Sequence, residues 1–300
     1  MPSQRTILTG ASGFVGRALA SELAEPFEAL ALGRPDWVRA IEACDFRDAT
    51  VFHLAARAHR TAAQTDAVYV HDNLDKTRAL AEAAAARGAR RFVFMSSIKV
   101  NGEETSHVPF RSADPPTPQN AYARSKWAAE QALRELAART PLSVSIVRSP
   151  LVYGAGVKGN LLSLLRLADT PWPLPFAAIA NRRSFVHVTD LARLLLDCAR
   201  LPQAAGRTYL AAHAQPVSTP QLVSRLRLAL GRPARLLSMA PRLLEAAAAL
   251  GAQSEPMRRL TRSLEIDPSP TQRELGWTAR IGFEAAVEDM VRGYREGRNP

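Results

Sequence analysis

Three hundred residues, 47% of them hydrophobic, suffice for a full buried core, in one large domain or in a nucleotide-binding domain with a smaller lobe. The net charge of +11 comes almost wholly from arginine, because lysine occurs only at positions 76, 99, 126 and 158; no basic run is interleaved with aromatics, which are 6% of the chain, so no nucleic-acid partner is expected. No apolar run reaches the roughly 18 residues of a membrane span, no signal peptide is expected, and two cysteines in apolar contexts, Cys44 and Cys198, suit a reducing, cytoplasmic setting.

In chain order, Arg5–Thr9 reads as a buried strand, followed by a glycine turn and an alanine/leucine helix through about Ala24. Phe27–Leu32, Ala49–Ala55 and Arg91–Ser96 read as further strands, and between the last two the helix Leu74–Arg87 ends at Gly88, a suitable C-cap. A helix around Tyr122, running to Ala138, precedes the strand Leu142–Arg148. This alternation predicts an α/β, Rossmann-type, doubly wound parallel sheet. Only sixteen residues separate Arg34 from Val51, too few for a helix–strand–helix passage, so the third strand of the usual order is expected to be missing or vestigial.

Beyond Gly154 the texture changes. A helix beginning near Asn160 is broken by Pro171, Pro173 and Pro175; Ser184–Val188 is a short strand, with Thr189-Asp190 capping a helix Leu191–Arg200. Ser218-Thr-Pro220 starts another helix, and Pro241–Leu250 forms a third. The expected division is a dinucleotide-binding domain of residues 1–155 plus about 184–200, with a smaller substrate-binding lobe of about 156–183 and 201–300.

Gly10-x-x-Gly13-x-x-Gly16 follows a strand and opens a helix, the setting in which a backbone can approach a pyrophosphate and a helix N-terminus can receive it. At the end of the second strand stands Gly33-Arg34, where a carboxylate would hold the ribose 2′-hydroxyl of NAD. A guanidinium there suits a 2′-phosphate, so NADP is preferred and NAD is the alternative. Ser97 ends a strand at the carboxyl edge of the sheet. Tyr122 and Lys126, one helical turn apart, share a face, and the ammonium is expected to lower the phenol toward a usable acid or base. Tyr-x-x-x-Lys is common by chance; it gains meaning here from the glycine turn, the strand-end serine and the loop Asp114-Pro-Pro-Thr-Pro118 that precede it in order. No metal-ligand set is assigned.

These motifs, with His53-Leu-Ala-Ala56, Asn73 ahead of Thr77, Arg148-x-Pro-x-x-Tyr-Gly154, Arg183-Ser-Phe-Val-His-Val-Thr-Asp190 and Glu274-Leu-Gly-Trp277, resemble the extended short-chain dehydrogenases/reductases of the NAD-dependent epimerase/dehydratase family. The resemblance spans essentially the whole chain. It implies catalysis by Ser97, Tyr122 and Lys126, and cofactor contacts from Gly10, Ser12, Gly13, Phe14, Val15, Gly16, Leu54, Ala55, Ala56, Asn73, Pro150 and Val152 in addition to Arg34, Tyr122 and Lys126. It also implies a nucleoside-diphospho sugar whose diphosphate meets Asn160 and Arg183, with Ser97 and Lys99 at the sugar. Asn160 reads equally as a helix N-cap, and Arg258, Arg259 and Arg262 offer a second phosphate contact. Asp190 reads as a cap.

The dehydratases of this family carry an Asp-Glu pair after the active-site hydroxyl residue; Ile98 and Lys99 stand there, and elimination is not expected. The block Ser96-Ser-Ile-Lys-Val-Asn-Gly-Glu103 with Pro109-Phe110 resembles bacterial reductases of a UDP-4-keto-6-deoxy-N-acetylhexosamine in lipopolysaccharide and O-antigen synthesis, so NAD(P)H-dependent 4-keto reduction is the expected reaction. A UDP-hexose or UDP-N-acetylhexosamine 4-epimerase is the alternative. An NADP-sensing regulator is disfavoured by the intact Ser97, Tyr122 and Lys126, and an aldehyde or flavonoid-type reductase by Asn160 and Arg183. Homodimerisation is expected through the helices Leu74–Arg87 and Tyr122–Ala138.

Overall fold

The computed structural model of the chain describes residues 5–58, 65–106, 108–250 and 254–297. Strands β1 (Thr6–Thr9), β2 (Phe27–Leu30), β3 (Thr50–His53), β4 (Arg91–Ser97), β5 (Ser143–Ser149) and β8 (Thr208–Leu210) form one parallel sheet in the order β2-β1-β3-β4-β5-β8. Between β2 and β3 there is room only for the short helix α2 (Trp37–Ala43). β2 is therefore the sheet edge, as the spacing Arg34 to Val51 predicts.

The strand sequences are apolar at consecutive positions because both faces of the sheet are covered. Ile7, Val51, Phe92 and Ile146 point to one side, beneath α4 (Lys76–Ala86) and α5 (Ala121–Arg139). Leu8, Phe52, Val93 and Val147 point to the other, beneath α1 (Phe14–Glu22) and α7 (Val188–Arg200). A separate core joins α6 (Gly159–Ala168), α8 (Thr219–Ala229) and α12 (Phe283–Glu296). The chain leaves β1 toward β2 on one side, while β3 lies on its other side. The crevice at the carboxyl ends of β1 and β3 is thus the switch point at which such sheets bind ligands.

Four local features differ from the sequence expectation. The strand β8 lies within the stretch assigned to the smaller lobe yet completes the large sheet, and β6 (Leu151–Tyr153) pairs with β7 (Phe185–His187) apart from it. The helix predicted from Leu74 begins earlier: α3 (Asp66–Val70) runs through a π-helical turn, His71–Asp75, into α4. α7 is capped by His187, whose ring accepts from the Thr189 N–H, and not by Thr189 or Asp190; the Asp190 carboxylate, one turn on, accepts from the Ile281 N–H at 3.0 Å. Helix α6 begins after Lys158, which makes no side-chain cap, so Asn160 lies inside its first turn and is not the N-cap, and the helix ends at Ala168 before the prolines. The helix over Pro241–Leu250 (α9) lies where predicted, followed by α10 (Ser254–Thr261) and α11 (Ser269–Leu275).

Candidate active site

The glycine turn is tight because three side chains are missing from it. Gly10 has φ +73°, and a Cβ there would sit 2.8 Å from the Ala55 backbone nitrogen at the exit of β3. A Cβ on Gly16 would lie 2.0 Å from the Gly10 carbonyl oxygen, so the first turn of α1 can rest on the turn only with glycine there. Gly13 caps α1 with no side-chain hydrogen bond. The N–H groups of the first turn, Phe14 and Val15 included, are left without a side-chain cap and face a site suited to phosphate. The side chains of Phe14 and Val15 pack instead into the smaller lobe's core and the sheet core.

Beside this turn lies a cleft of about 730 Å³, lined by Gly10, Ser12, Gly13, Leu54, Ala55 and Ala56 at one end and by Gly33, Arg34 and Lys76 at the other. Its volume is in the range of small-molecule and cofactor sites. With the uncapped helix and the glycine cradle, the residues present fit a dinucleotide. Arg34 is exposed at the cleft edge. Lys76, not among the residues expected from sequence, donates to the Leu32 carbonyl at 2.9 Å and pairs with Asp72 at 2.7 Å, fixing the β2 exit to α4. Only the i,i+4 spacing of Asp72 and Lys76 signalled it.

A buried chain of hydrogen bonds connects the cleft to the reacting end. Thr77 donates to the Asn73 carbonyl, so its oxygen accepts from His53 Nε2–H at 2.8 Å. His53 Nδ1 then accepts from Thr9 at 2.7 Å, and the Thr9 oxygen in turn accepts from the N–H groups of Leu54 and Ala55. Burial, helped by the Lys126 charge, drives His53 down to about 3, so the ring is neutral. The π turn buries Asn73, whose amide holds the Arg57 backbone at both ends and donates to the Ser125 hydroxyl at 3.0 Å. Ser125 itself bonds to the Tyr122 carbonyl. Asn73 thus braces the Tyr122 helix against the β3 exit.

Ser97 is the last residue of β4, opposite Ser149 of β5, and its hydroxyl accepts from the Lys99 N–H at 3.3 Å. Tyr122 hydrogen-bonds to Ser97 at this edge, and Lys126 stands one helical turn further along α5. Burial raises Tyr122 above the usual tyrosine value, against the downward pull of its hydrogen bond to Ser97. The expectation that Lys126 lowers the phenol is therefore corrected. The Lys126 ammonium lies 4.1 Å from the centre of the Phe94 ring, and burial pushes it down to about 7, with Glu130 pulling upward.

Beneath the triad, Glu130 is fully buried and bidentate to Arg148, at 2.9 and 2.6 Å, and accepts from Ser96 at 2.6 Å. Arg148 also donates to the Asn101 side chain at 2.9 Å. On the outer side, the Lys99 ammonium pairs with Glu103 at 2.8 Å.

Two guanidinium groups come from outside the large sheet, Arg183 ahead of β7 and Arg259 in α10. Arg183 is buried, donates from Nη1 to the Arg262 carbonyl at 2.9 Å, and keeps a buried Nε–H with no protein partner. Burial and the charge of neighbouring Arg259 push it down to about 10. Arg259 has the same unpartnered Nε–H, whereas Arg262 is engaged by Glu245 at 3.0 Å and Arg258 is exposed. Of the three arginines offered by the sequence, Arg262 meets Arg183 through its backbone carbonyl, and Arg259 is the one whose charge acts on Arg183 and whose Nε–H is unpartnered. Asn160 is exposed in the first turn of α6, Pro150 is buried between β5 and β6, and Val152 packs in the sheet core.

A sequence model of the NAD dependent epimerase/dehydratase family matches residues 6–212. A UDP-glucose 4-epimerase of Vibrio cholerae is 35% identical, over 98% of this chain and 96% of its own length. An N-acetyl-alpha-D-glucosaminyl-diphospho-ditrans,octacis-undecaprenol 4-epimerase of Escherichia coli O157:H7 is 28% identical, over 64% of this chain and 62% of its own. The solved structure of MoeE5 in complex with UDP-glucose and NAD superposes with a TM-score of 0.76 at 26% identity, covering 98% of this chain and all of that one.

Proposed function

The chain belongs to the NAD-dependent epimerase/dehydratase family, and from that membership we propose that it is a 4-epimerase of a UDP-hexose or UDP-N-acetylhexosamine. The observation that carries this reading is the likeness to a UDP-glucose 4-epimerase along nearly the whole length of both chains. The site agrees with it. Directly after Ser97 stand a buried isoleucine and a lysine held by Glu103, so a dehydratase's carboxylate pair is lacking there.

The bound nicotinamide would take up and return a hydride at C4 and, when oxidised, bring a positive charge beside Tyr122. The protein's own groups handle the rest. Ser97 donates a hydrogen bond to the C4 oxygen, and Tyr122 removes its proton and later restores it. Because burial favours the neutral phenol, Tyr122 holds its proton firmly until positive charge collects beside it. Lys126 supplies part of that charge and a donor for the nicotinamide ribose. Arg183 and Arg259 present unpartnered N–H groups to the substrate diphosphate, for which guanidinium forks are well shaped. The smaller lobe is the proposed nucleotide-sugar-binding part.

Reduction of a 4-keto sugar in surface-polysaccharide synthesis, the reaction expected from the Ser96–Glu103 block, is the second reading. Arg34 favours it, since a guanidinium at the cleft edge suits the 2′-phosphate of NADP and a reductase consumes NADPH. NADP is accordingly the preferred cofactor for titration, with NAD as the alternative; MoeE5 was solved with NAD. We assign a homodimer contact to the outer faces of α4 and α5, where Arg78, Glu82, Glu135 and Arg139 border a groove of about 300 Å³, and a cytoplasmic setting in which the buried thiols of Cys44 and Cys198 stay reduced. Incubation with UDP-glucose and UDP-N-acetylglucosamine, with NAD and NADP added separately and products read by NMR, tests the assignment: a C4 epimer is expected, and unchanged substrate with either sugar refutes it.

A further inference from the structure

One end of the smaller lobe carries six exposed large apolar side chains on five segments. They are Leu167 at the end of α6, Trp172 in the loop after it, Leu228 in α8, Leu237 and Met239 in the next loop, and Leu243 in the first turn of α9. Trp172 is 72% exposed, Leu243 62% and Leu237 56%. Backbone contacts hold the segments side by side. Arg227, itself fully buried, donates to the carbonyls of Trp172 at 3.0 Å and Pro233 at 2.8 Å, stapling the loop after α6 to the loop after α8. The Leu237 N–H donates to the Leu174 carbonyl at 2.8 Å, and the Leu174 N–H to the Arg235 carbonyl at 3.2 Å. Burial elsewhere in the lobe is efficient, so this surface is not a by-product of poor packing. Large apolar side chains gathered in one place on a surface mark an interaction site.

The charge around the patch is one-sided. Arg166, Arg235 and Arg242 are exposed among the apolar residues. The only acid in stretches 166–177 and 227–243 is Asp169, and it is held by Arg232 at 2.8 Å. We propose that this end of the lobe docks the protein on an anionic lipid surface, with Trp172, Leu237 and Leu243 entering the headgroup region and Arg235 and Arg242 meeting the lipid phosphates. Arginine beside tryptophan and leucine is the composition that binds such surfaces, the cations by charge and the apolar tips by burial. α9 packs against α10, which carries Arg259, so the docking surface and the substrate crevice share one helix pair. The docking is peripheral; among the described residues no helix is long and apolar enough to cross a membrane.

The proposal does not depend on the reaction assigned above, because vesicle binding is read without turnover. Full-length protein is sedimented with vesicles of phosphatidylcholine alone and of phosphatidylcholine mixed with phosphatidylglycerol, at near-physiological salt. Binding to the anionic vesicles only is expected. The triple variant Trp172→Ser/Leu237→Ser/Leu243→Ser keeps the net charge, and should bind them at least about tenfold more weakly with melting temperature and sugar turnover unchanged. Arg235→Ser/Arg242→Ser should weaken binding as well. Failure of the wild-type chain to bind anionic vesicles overturns the proposal. So does equal binding by the serine triple variant, which would mean charge alone. Loss of a concentration-dependent self-association in that variant, without vesicle binding by wild type, would assign the patch to a second copy of the chain and overturn it too.

Discussion

Asn120 and Glu103 couple the start of the catalytic helix to the loop that follows Ser97. The Asn120 side-chain oxygen accepts from the Ala123 N–H at 2.8 Å, capping α5 two residues before Tyr122, while its amide donates to the Glu103 carboxylate that also holds Lys99. Asn120→Ala should lose the cap, costing about 1 kcal/mol. Asn120→Asp keeps a good cap but sets a carboxylate against Glu103. Its expected signature is a several-fold fall in kcat with little change in melting temperature or in KM, and the double change Glu103→Gln/Asn120→Asp, which restores a donor and an acceptor, should recover much of the loss. Steady-state kinetics beside calorimetry separate these outcomes.

The Glu130–Arg148 pair predicts a large stability effect at a distance from the substrate. Both groups are out of solvent; removing Glu130 leaves the Arg148 guanidinium with no carboxylate, whereas removing Arg148 leaves Glu130 with Arg134 at 3.3 Å and the Ser96 hydroxyl. Glu130→Gln should therefore cost about 3–5 kcal/mol, measured by denaturant unfolding, and Arg148→Met less, whereas replacing both by apolar residues should cost less than the two single changes added together.

Much of the fold was legible because the strands are buried on both faces and glycines punctuate them. The glycine turn follows β1 and Ser97 ends β4, both at the carboxyl edge of the sheet, where Tyr122 hydrogen-bonds to Ser97. What escaped the sequence depends on three-dimensional surroundings. Whether the phenol or the ammonium yields its proton more easily follows from how deeply each is buried, and Lys126 is buried against Phe94, which no spacing reveals. The π turn at Asn73 adds one residue to a helical turn without a compositional signal, and the strand Thr208–Leu210 is too short to stand out from its surroundings.

Two buried bases give opposite ends of the pH range. His53 titrates near 3 in the fold and near 6.5 when unfolded, so the unfolded chain binds the extra proton between these values. Stability should fall as pH drops through that window, and Thr9 loses its acceptor on Nδ1 if the ring charges, while Thr77 keeps the Nε2–H. Lys126 titrates near 7 in the fold against 10.5 unfolded, so its burial penalty is full below pH 7 and relieved between 7 and 10.5. Lys126→Met should raise the melting temperature more at pH 6 than at pH 10. Melting curves across pH check both, and a Lys126→Met gain that grows with pH would refute the assignment.

Arg183 and Arg259 are expected to act on binding more than on chemistry. Arg183→Leu or Arg259→Leu should raise KM for the nucleotide sugar and weaken inhibition by UDP by about tenfold or more, leaving cofactor affinity unchanged. Inhibition titrations with UDP and cofactor-fluorescence titrations on the same preparations measure the two effects separately.

The central claim is that the site returns the hydride it takes. The most direct measurement follows epimer formation from a UDP-sugar by NMR while the reduced cofactor is monitored by absorbance in the same sample, for the wild-type chain and for Tyr122→Phe. The account predicts C4 epimer from the wild-type chain with no net change in reduced cofactor, and no epimer from Tyr122→Phe despite retained cofactor binding. Stoichiometric consumption of NAD(P)H by a 4-keto sugar, with no epimerisation of any UDP-sugar, would contradict it.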